Sequence, residues 1–352
     1  MIKFRSLLVA LPLFFLLSSC NYLHIDAFTG STLIWESGSN NYFNRDKPHD
    51  LAFPSRILVT GEVERDVYVK IDKLPWHSVT VKEAIPDGDS VAFFGAFRYD
   101  GFALSDILST VKVDKWSKES FYPPVDLYVE VWNDKEEHVV FSWGEIFYSA
   151  DVYKIILARS VTRVIPGKTG EMWNLPRNSK IVAGFDHYSV RNIENPVKIV
   201  IRSLRGNFIV DRDPEIFRSD SLLIYNGEKR LAVLDSSLCR DASLTEQKTM
   251  FYGQSMGSKG EKVYRGFNLG QILDSVYTGA PGTLAGKIVC IEGTDGYRAS
   301  FSLSELINRN DHREPLLVYG EQEEGRVGFS VFCSSDMFAD RAIKSVSKIT
   351  IN

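Results

Sequence analysis

Cysteine is scarce, at four residues in 352. That excludes a small fold stapled by a disulfide framework. No internal run approaches the roughly 18 consecutive apolar residues that a membrane-crossing helix needs, so a multi-span membrane protein is excluded. Basic charge is not in excess: 41 Lys and Arg stand against 45 Asp and Glu, for a net charge of −4. A nucleic-acid partner would favour a basic face, and the balance gives no support for one. The six histidines never pair at i, i+3 or i+4, and C-x-x-C is missing, so zinc spacing is unsupported. The P-loop order does not occur, and no Ser-His-Asp set has a recognisable context. What is abundant is apolar material, 44% hydrophobic and 12% aromatic, ample for two ordinary domains or one large one.

The first 19 residues read as an export signal. Lys3 and Arg5 precede the apolar stretch Leu7 to Leu17, which is too short to span a bilayer comfortably. Leu17-Ser18-Ser19-Cys20 follows and resembles a bacterial lipobox. The resemblance implies a diacylglyceryl group on the Cys20 sulfur, cleavage before it, and a fatty acyl chain such as palmitate on its new amine. Several acyl chains on one residue give stable anchoring. The expected partner is therefore a membrane, reached through the lipid, in a bacterial cell envelope. Asn21 rather than Asp at the next position implies outer-membrane delivery in a Gram-negative cell. Residues 20–52, rich in Gly, Ser and Asn, are expected to form a tether. Exported thiols lie outside the reducing cytosol. Of Cys239, Cys290 and Cys333, at least one is left unpaired. Cys290 and Cys333 sit in strand-like segments, where either a bond between them or two buried thiols fits.

The chain repeats itself. Tyr99-Asp100-Gly101-Phe102-Ala103-Leu104-Ser105-Asp106-Ile107-Leu108 matches Tyr264-Arg265-Gly266-Phe267-Asn268-Leu269-Gly270-Gln271-Ile272-Leu273. Both copies carry apolar residues at i, i+3, i+4 and i+7, through Val111 and Val276, one face of a short amphipathic helix. Strand-like Leu127–Val131 and Lys287–Ile291 come next, each followed by a turn and a second strand ending in Phe141-Ser142 or Phe301-Ser302. Ser142-Trp143-Gly144-Glu145 and Ser302-Leu303-Ser304-Glu305 then read as S-x-x-E capping boxes. Asp295-Gly296 predicts a type I′ hairpin turn. Ile57–Val63 loosely matches Leu222–Glu228, and the halves close in Val197–Ile201 and Val346–Ile351. The expectation is α+β: two similar mixed-sheet domains, 53–205 and 206–352.

This order resembles the molybdopterin-binding domain of the sulfite oxidase superfamily. Gly101 to Leu108, Gly293 to Leu306 and Asp336 to Ile349 carry the likeness. The resemblance implies that fold, in degenerate tandem copies. Catalytic members hold molybdenum through a cysteine thiolate before the first helix, and a soft thiolate suits such a metal. Here Val91–Tyr99 and Met250–Gly260 lack cysteine, and Cys239 lies more than ten residues upstream. The late family arginine that meets the cofactor phosphate has one counterpart, Arg177 in Leu175-Pro176-Arg177.

Other chemistry is sparse. Gly253–Gly260 reads as a glycine-rich surface loop. Were the second half to bind an anion through backbone amides, Lys259 and Arg265 would be its cations. Arg98 and Lys168–Gly170 are the counterparts in the first half. Asp186-His187-Tyr188 reads as a hydrogen-bonded structural histidine, and Asp336, Asp340 and Arg341 as a local ion-paired loop. The expectation is a non-catalytic, lipid-anchored envelope protein that takes a small ligand or protein partner, with no cofactor. The rivals are a molybdopterin-dependent oxidoreductase with an atypical metal site and a structural surface lipoprotein. A ligand cleft is expected where the halves meet.

Overall fold

Branched apolar residues on alternate positions set the strands of the first half. In the computed structural model, which describes residues 43–166, 168–211, 218–237, 243–253, 257–321 and 327–352, Ile57 and Val59 are buried while Arg56 is exposed. That alternation makes a half-buried strand. The first half runs β1 (Phe43–Arg45), β2 (His49–Asp50), β3 (Arg56–Gly61), β4 (Val67–Lys70), β5 (His77–Asp87) and β6 (Ser90–Ala103). It continues through α1 (Leu104–Leu108), β7 (Leu127–Asn133), β8 (His138–Ser142), α2 (Trp143–Phe147), β9 (Ile155–Pro166), β10 (Ile181–Ala183) and β11 (Pro196–Ser203).

The second half follows the same order. It comprises β12 (Arg218–Ser219), β13 (Ser221–Asn226), β14 (Lys229–Asp235), β15 (Thr245–Gly253), β16 (Gly257–Asn268) and α3 (Leu269–Val276). Then come β17 (Ile288–Gly293), β18 (Arg298–Ser302), α4 (Leu303–Ile307), β19 (Leu316–Glu321), β20 (Val327–Phe332) and β21 (Val346–Ile351). The chain is mostly sheet, in several mixed sheets.

Topology repeats with the sequence. One sheet orders its strands β4-β3-β11-β7-β8, and another β14-β13-β21-β17-β18. In both, the closing strand runs parallel to the opening strand and antiparallel to its other neighbour. The remaining two sheets share the neighbour order β5-β6-β9-β10 and β15-β16-β19-β20. The first of these also takes β1 and β2 onto β9. Leu51 is buried as well, so sheet and core begin ahead of position 53.

The repeated helices bury the face that the spacing predicts. Leu104, Ile107 and Leu108, and Leu269 and Leu273, are buried, each such side chain stabilising by roughly 1.5–3 kcal/mol. Trp143 and Phe147 on α2 pack against the cores of both halves. Tyr42–Asn352 form one compact unit. Among the described residues no helix is long and apolar enough to cross a membrane. Cys20 and its flanking signal lie outside the described residues.

Three local expectations are corrected. Gly253–Gly260 is not a surface loop: Gly253 ends β15 and Gly257–Gly260 begins β16, while its tip, 254–256, lies outside the described residues. The Asp295-Gly296 turn is not type I′, which needs positive φ at both central residues. Only Gly296 has one, at 74°, with its amide on the Gly293 carbonyl at 3.1 Å. Glu136, the counterpart in the first half, takes the same left-handed conformation at 63°. The capping boxes also differ. Ser142 and Glu145 complete theirs. Ser302 accepts from the Glu305 amide at 3.0 Å, but the Glu305 carboxylate is used elsewhere.

Candidate functional site

The junction between the halves is packed, not open. Arg191 and Arg341 are each only 1% exposed there. Arg191 holds Asp186 with two bonds, Nε to Oδ2 at 2.8 Å and Nη2 to Oδ1 at 2.6 Å. Arg341 holds Asp336 the same way, both bonds at 2.8 Å. Planar guanidinium and carboxylate match in such forked pairs. Each arginine also meets the capping glutamate of its own half. Arg191 donates to Glu145 at 2.9 Å, and Arg341 pairs with Glu305 at 2.7 Å. Each lies 4.4 Å from the centroid of a phenylalanine in its own half, Phe141 or Phe301.

Then each reaches across. Arg191 donates to Ser302 at 3.0 Å, and Arg341 to Ser142 at 3.1 Å. Ser142 in turn donates to Glu305 at 2.7 Å, which is where that carboxylate has gone. Backbone bonds frame the seam with the same pseudo-two-fold pattern. His187 N donates to Asn308 O, and Met337 N to Tyr148 O. The expected cleft at this place is therefore filled by paired charges.

Two arginines face four carboxylates, and the excess negative charge has a consequence. Burial raises the Glu145 carboxyl above its ordinary range; Arg191 pulls it down and nearby Glu305 pushes it up. Burial likewise raises Asp336 against the pull of Arg341. Burial works against the Arg191 charge too, but Asp186 and Glu145 hold it protonated. The cluster keeps both guanidinium charges and relieves its surplus on the acids.

The sequence candidates do not assemble into a site. Arg98 is buried in β6 and spends Nη2 on Asp100 at 2.8 Å. Arg177 is exposed, and its carbonyl accepts from Ala52 N at 2.8 Å. Lys259 and Arg265 are exposed on β16, six residues apart, hence roughly 20 Å along an extended strand. Arg265 pairs with Glu246 at 2.7 Å. None of the four lines either of the clefts described below. His187 is exposed, so the structural residue of Asp186-His187-Tyr188 is the aspartate. Asp336 and Arg341 do form an ion pair, but inside the seam rather than in an isolated loop. Asp340 stands apart, its carbonyl accepting from the Tyr297 hydroxyl at 2.7 Å.

Cys290 and Cys333 are buried and unbonded, so the disulfide alternative falls; Cys239 lies outside the described residues. Burial pushes the Cys290 thiol up to about 12 and raises Cys333 as well. A molybdenum ligand must be a thiolate reachable from a cofactor pocket. These two buried thiols do not fit that group. Among the described residues no set of three or more His, Cys, Asp or Glu side chains is placed to hold a metal.

Two clefts remain. One, of about 490 Å³, is lined by Glu62, Asp114, Lys115, Trp116, Lys118, Arg202 and Arg205 among others. Its charges are spoken for: Glu62 takes Arg205 at 3.2 Å, Asp114 takes Lys118 at 2.7 Å, and Lys115 pairs with buried Asp126 at 2.6 Å. The other, of about 360 Å³, is lined by Leu51, Phe53, Ser55, Asp72, Trp76, Phe102 and Arg159. Phe102 precedes α1 in the repeat segment, Trp76 precedes β5, and Phe53 follows β2. Sheet pairing of β5, β6 and β9 brings these distant positions together. Asp72 makes no hydrogen bond or ion pair with another described residue. Sequence reasoning missed this cleft, because its rings share no period or motif.

No family model matches the chain, and no curated protein matches it. Among solved structures, the sulfane dehydrogenase SoxCD of Paracoccus pantotrophus aligns with 83% of this chain and 77% of its own, at 11% identity and a TM-score of 0.29. The likeness is distant.

Proposed function

We propose that this is a lipid-anchored envelope protein that binds a small ligand, without transforming it, in the cleft of Phe53, Trp76 and Phe102. One observation carries the reading. Aromatic surface, an unpaired carboxylate and a guanidinium converge there on open space, the usual make-up of a small-molecule site. The charges of the seam and of the second cleft are instead taken up by one another. The lining residues include no histidine or thiol, the groups that most often act as base or nucleophile. The anchor rests on Leu17-Ser18-Ser19-Cys20 and its resemblance to a lipobox.

The test uses the full-length protein, expressed in a bacterium that makes molybdopterin. Mass spectrometry of the N-terminal peptide is expected to find acylated Cys20, and Cys20→Ala to leave the membrane fraction. A ligand screen by thermal shift is expected to raise the melting temperature, and Trp76→Ala to remove that shift. Near-stoichiometric molybdenum with pterin fluorescence would overturn the non-catalytic reading. An unmodified Cys20 would overturn the anchor.

A further inference from the structure

The shape and charge of the cleft narrow its ligand to one chemical class, an inference that rests on reading the cleft as the binding site. Phe102 is the floor, only 2% exposed, and Trp76 is a wall, 38% exposed. Phe53 stands beside them. The Phe53 and Trp76 ring centroids lie 5.6 and 5.2 Å from that of Phe102, with planes tilted by 47° and 49°. Rings so tilted make a cup. A sugar ring stacks best on a flat exposed platform, whereas a cup suits a compact, nearly spherical group.

The rings also favour one sign of charge. An aromatic face is electrostatically negative and attracts a cation within about 6 Å of its centroid. Phe53 already shows this, with the Arg159 guanidinium 5.5 Å from its centroid. Arg159 does not set the sign of the cleft. Its Nη1 lies 3.4 Å from Asp50 and 3.3 Å from the Leu51 carbonyl, to which it donates. With that pair balanced, Asp72 leaves the cleft negative.

We propose that the cleft binds a quaternary ammonium group, the head of choline, betaines and related zwitterions. The methylated cation sits against the exposed Trp76 ring and Phe53, above the buried Phe102, and Asp72 balances its charge. Arg159 holds the exposed Asp50 only at 3.4 Å and through Nη1, which leaves the rest of its guanidinium at the rim for the carboxylate or phosphate end of a zwitterion. A space of about 360 Å³ holds a ligand of that size together with water.

The experiment titrates the full-length protein in a polyoxyethylene detergent, free of choline and sugar head groups. The probes are choline, glycine betaine, dimethylbutanol (the neutral isostere of choline) and methyl glucoside. Calorimetry gives affinity and tryptophan fluorescence gives location. Choline and betaine are expected to bind, with the neutral isostere at least about tenfold weaker. Asp72→Asn should weaken choline about fivefold or more, and Arg159→Gln should weaken betaine more than choline. Trp76→Ala should abolish binding. Asp72 is exposed, so its variant keeps the readout if Trp76→Ala fails to fold. Equal binding of choline and its isostere, or no ammonium binding, overturns the proposal. If methyl glucoside alone binds, and Trp76→Ala removes it, the cleft is still the site and the ammonium class is wrong. If no probe binds, the ammonium class is wrong, and the cleft itself falls only if the ligand screen also gives no shift that Trp76→Ala removes.

Discussion

Arg191 and Arg341 occupy the same place in the two halves, and each donates to a capping serine of the other, Ser302 at 3.0 Å and Ser142 at 3.1 Å. Each therefore does three jobs with one guanidinium. It forks onto an aspartate, meets the glutamate of its own helix cap, and crosses the seam. The helix starts, the loops after β10 and β20, and the contact between halves are one cooperative unit.

Removing either arginine strands buried carboxylates. Arg341→Met should destabilise by about 3–5 kcal/mol, the usual cost of breaking a buried ion pair from one side. Arg341→Lys should recover little, because an ammonium cannot fork onto Asp336 and still reach Ser142. Gly144→Ala should act through the same residue, since a Cβ there would overlap the Arg341 guanidinium. Urea unfolding of the three variants checks the ranking.

The surplus of acid in the seam gives stability a sign against pH. Burial holds the folded pKa of Glu145 above the unfolded value of about 4.3. Between those values the folded state binds more protons than the unfolded one, so stability falls as pH rises through that window. Asp336 shifts the same way. Asp46 and Asp311 are lowered in the folded state, and their stabilisation is lost only below the ordinary carboxylate range. The urea midpoint should therefore drop as pH rises above the ordinary carboxylate range, and Glu145→Gln should flatten the drop. A midpoint that rises over this range in the native protein contradicts the assignment.

Glu136 stands where its counterpart is Gly296, both with positive φ. A non-glycine residue in that conformation costs about 1–2 kcal/mol, while glycine adds about 0.5–1 kcal/mol of unfolded-state entropy. Glu136→Gly should thus stabilise by roughly 0.5–1 kcal/mol. Gly296→Ala should destabilise by more, because its Cβ would also strike the Ile209 carbonyl. Thermal melts of the two variants should move in opposite directions.

The buried thiols should be silent. With burial raising both Cys290 and Cys333, neither forms thiolate at neutral pH. Alkylation at pH 8 followed by peptide mapping should leave both unmodified in the native protein and label both in urea. Native labelling of either would refute the placement.

Local pattern made the repeat legible. Leu104, Ile107, Leu108, Leu269 and Leu273 are buried as their spacing predicts, and both S-x-x-E serines cap their helices. The seam was half visible. Asp186 and Arg191, like Asp336 and Arg341, sit five residues apart in each half, and aligning them would have extended the repeat. Their partners Ser302 and Ser142 were out of reach, because only the meeting of β8 with β18 brings them near. The aromatic cleft left no trace in the spacing. Phe53 falls next to a segment that reads as tether, Trp76 in a loop, and Phe102 inside the helix motif. Two of the anion candidates have partners that spacing did not show: Arg98 pairs with Asp100 and Arg265 with Glu246, neighbours that sequence cannot weigh against a ligand.

The two-fold character of the seam leaves it blind to chain identity. Arg341 needs a Ser142 and Arg191 needs a Ser302, and a second copy of the protein offers both in the same arrangement. Two chains that trade their second halves would satisfy each contact twice. Protein concentration during refolding, rather than any difference in bonding at the seam, then sets how much exchanged dimer forms.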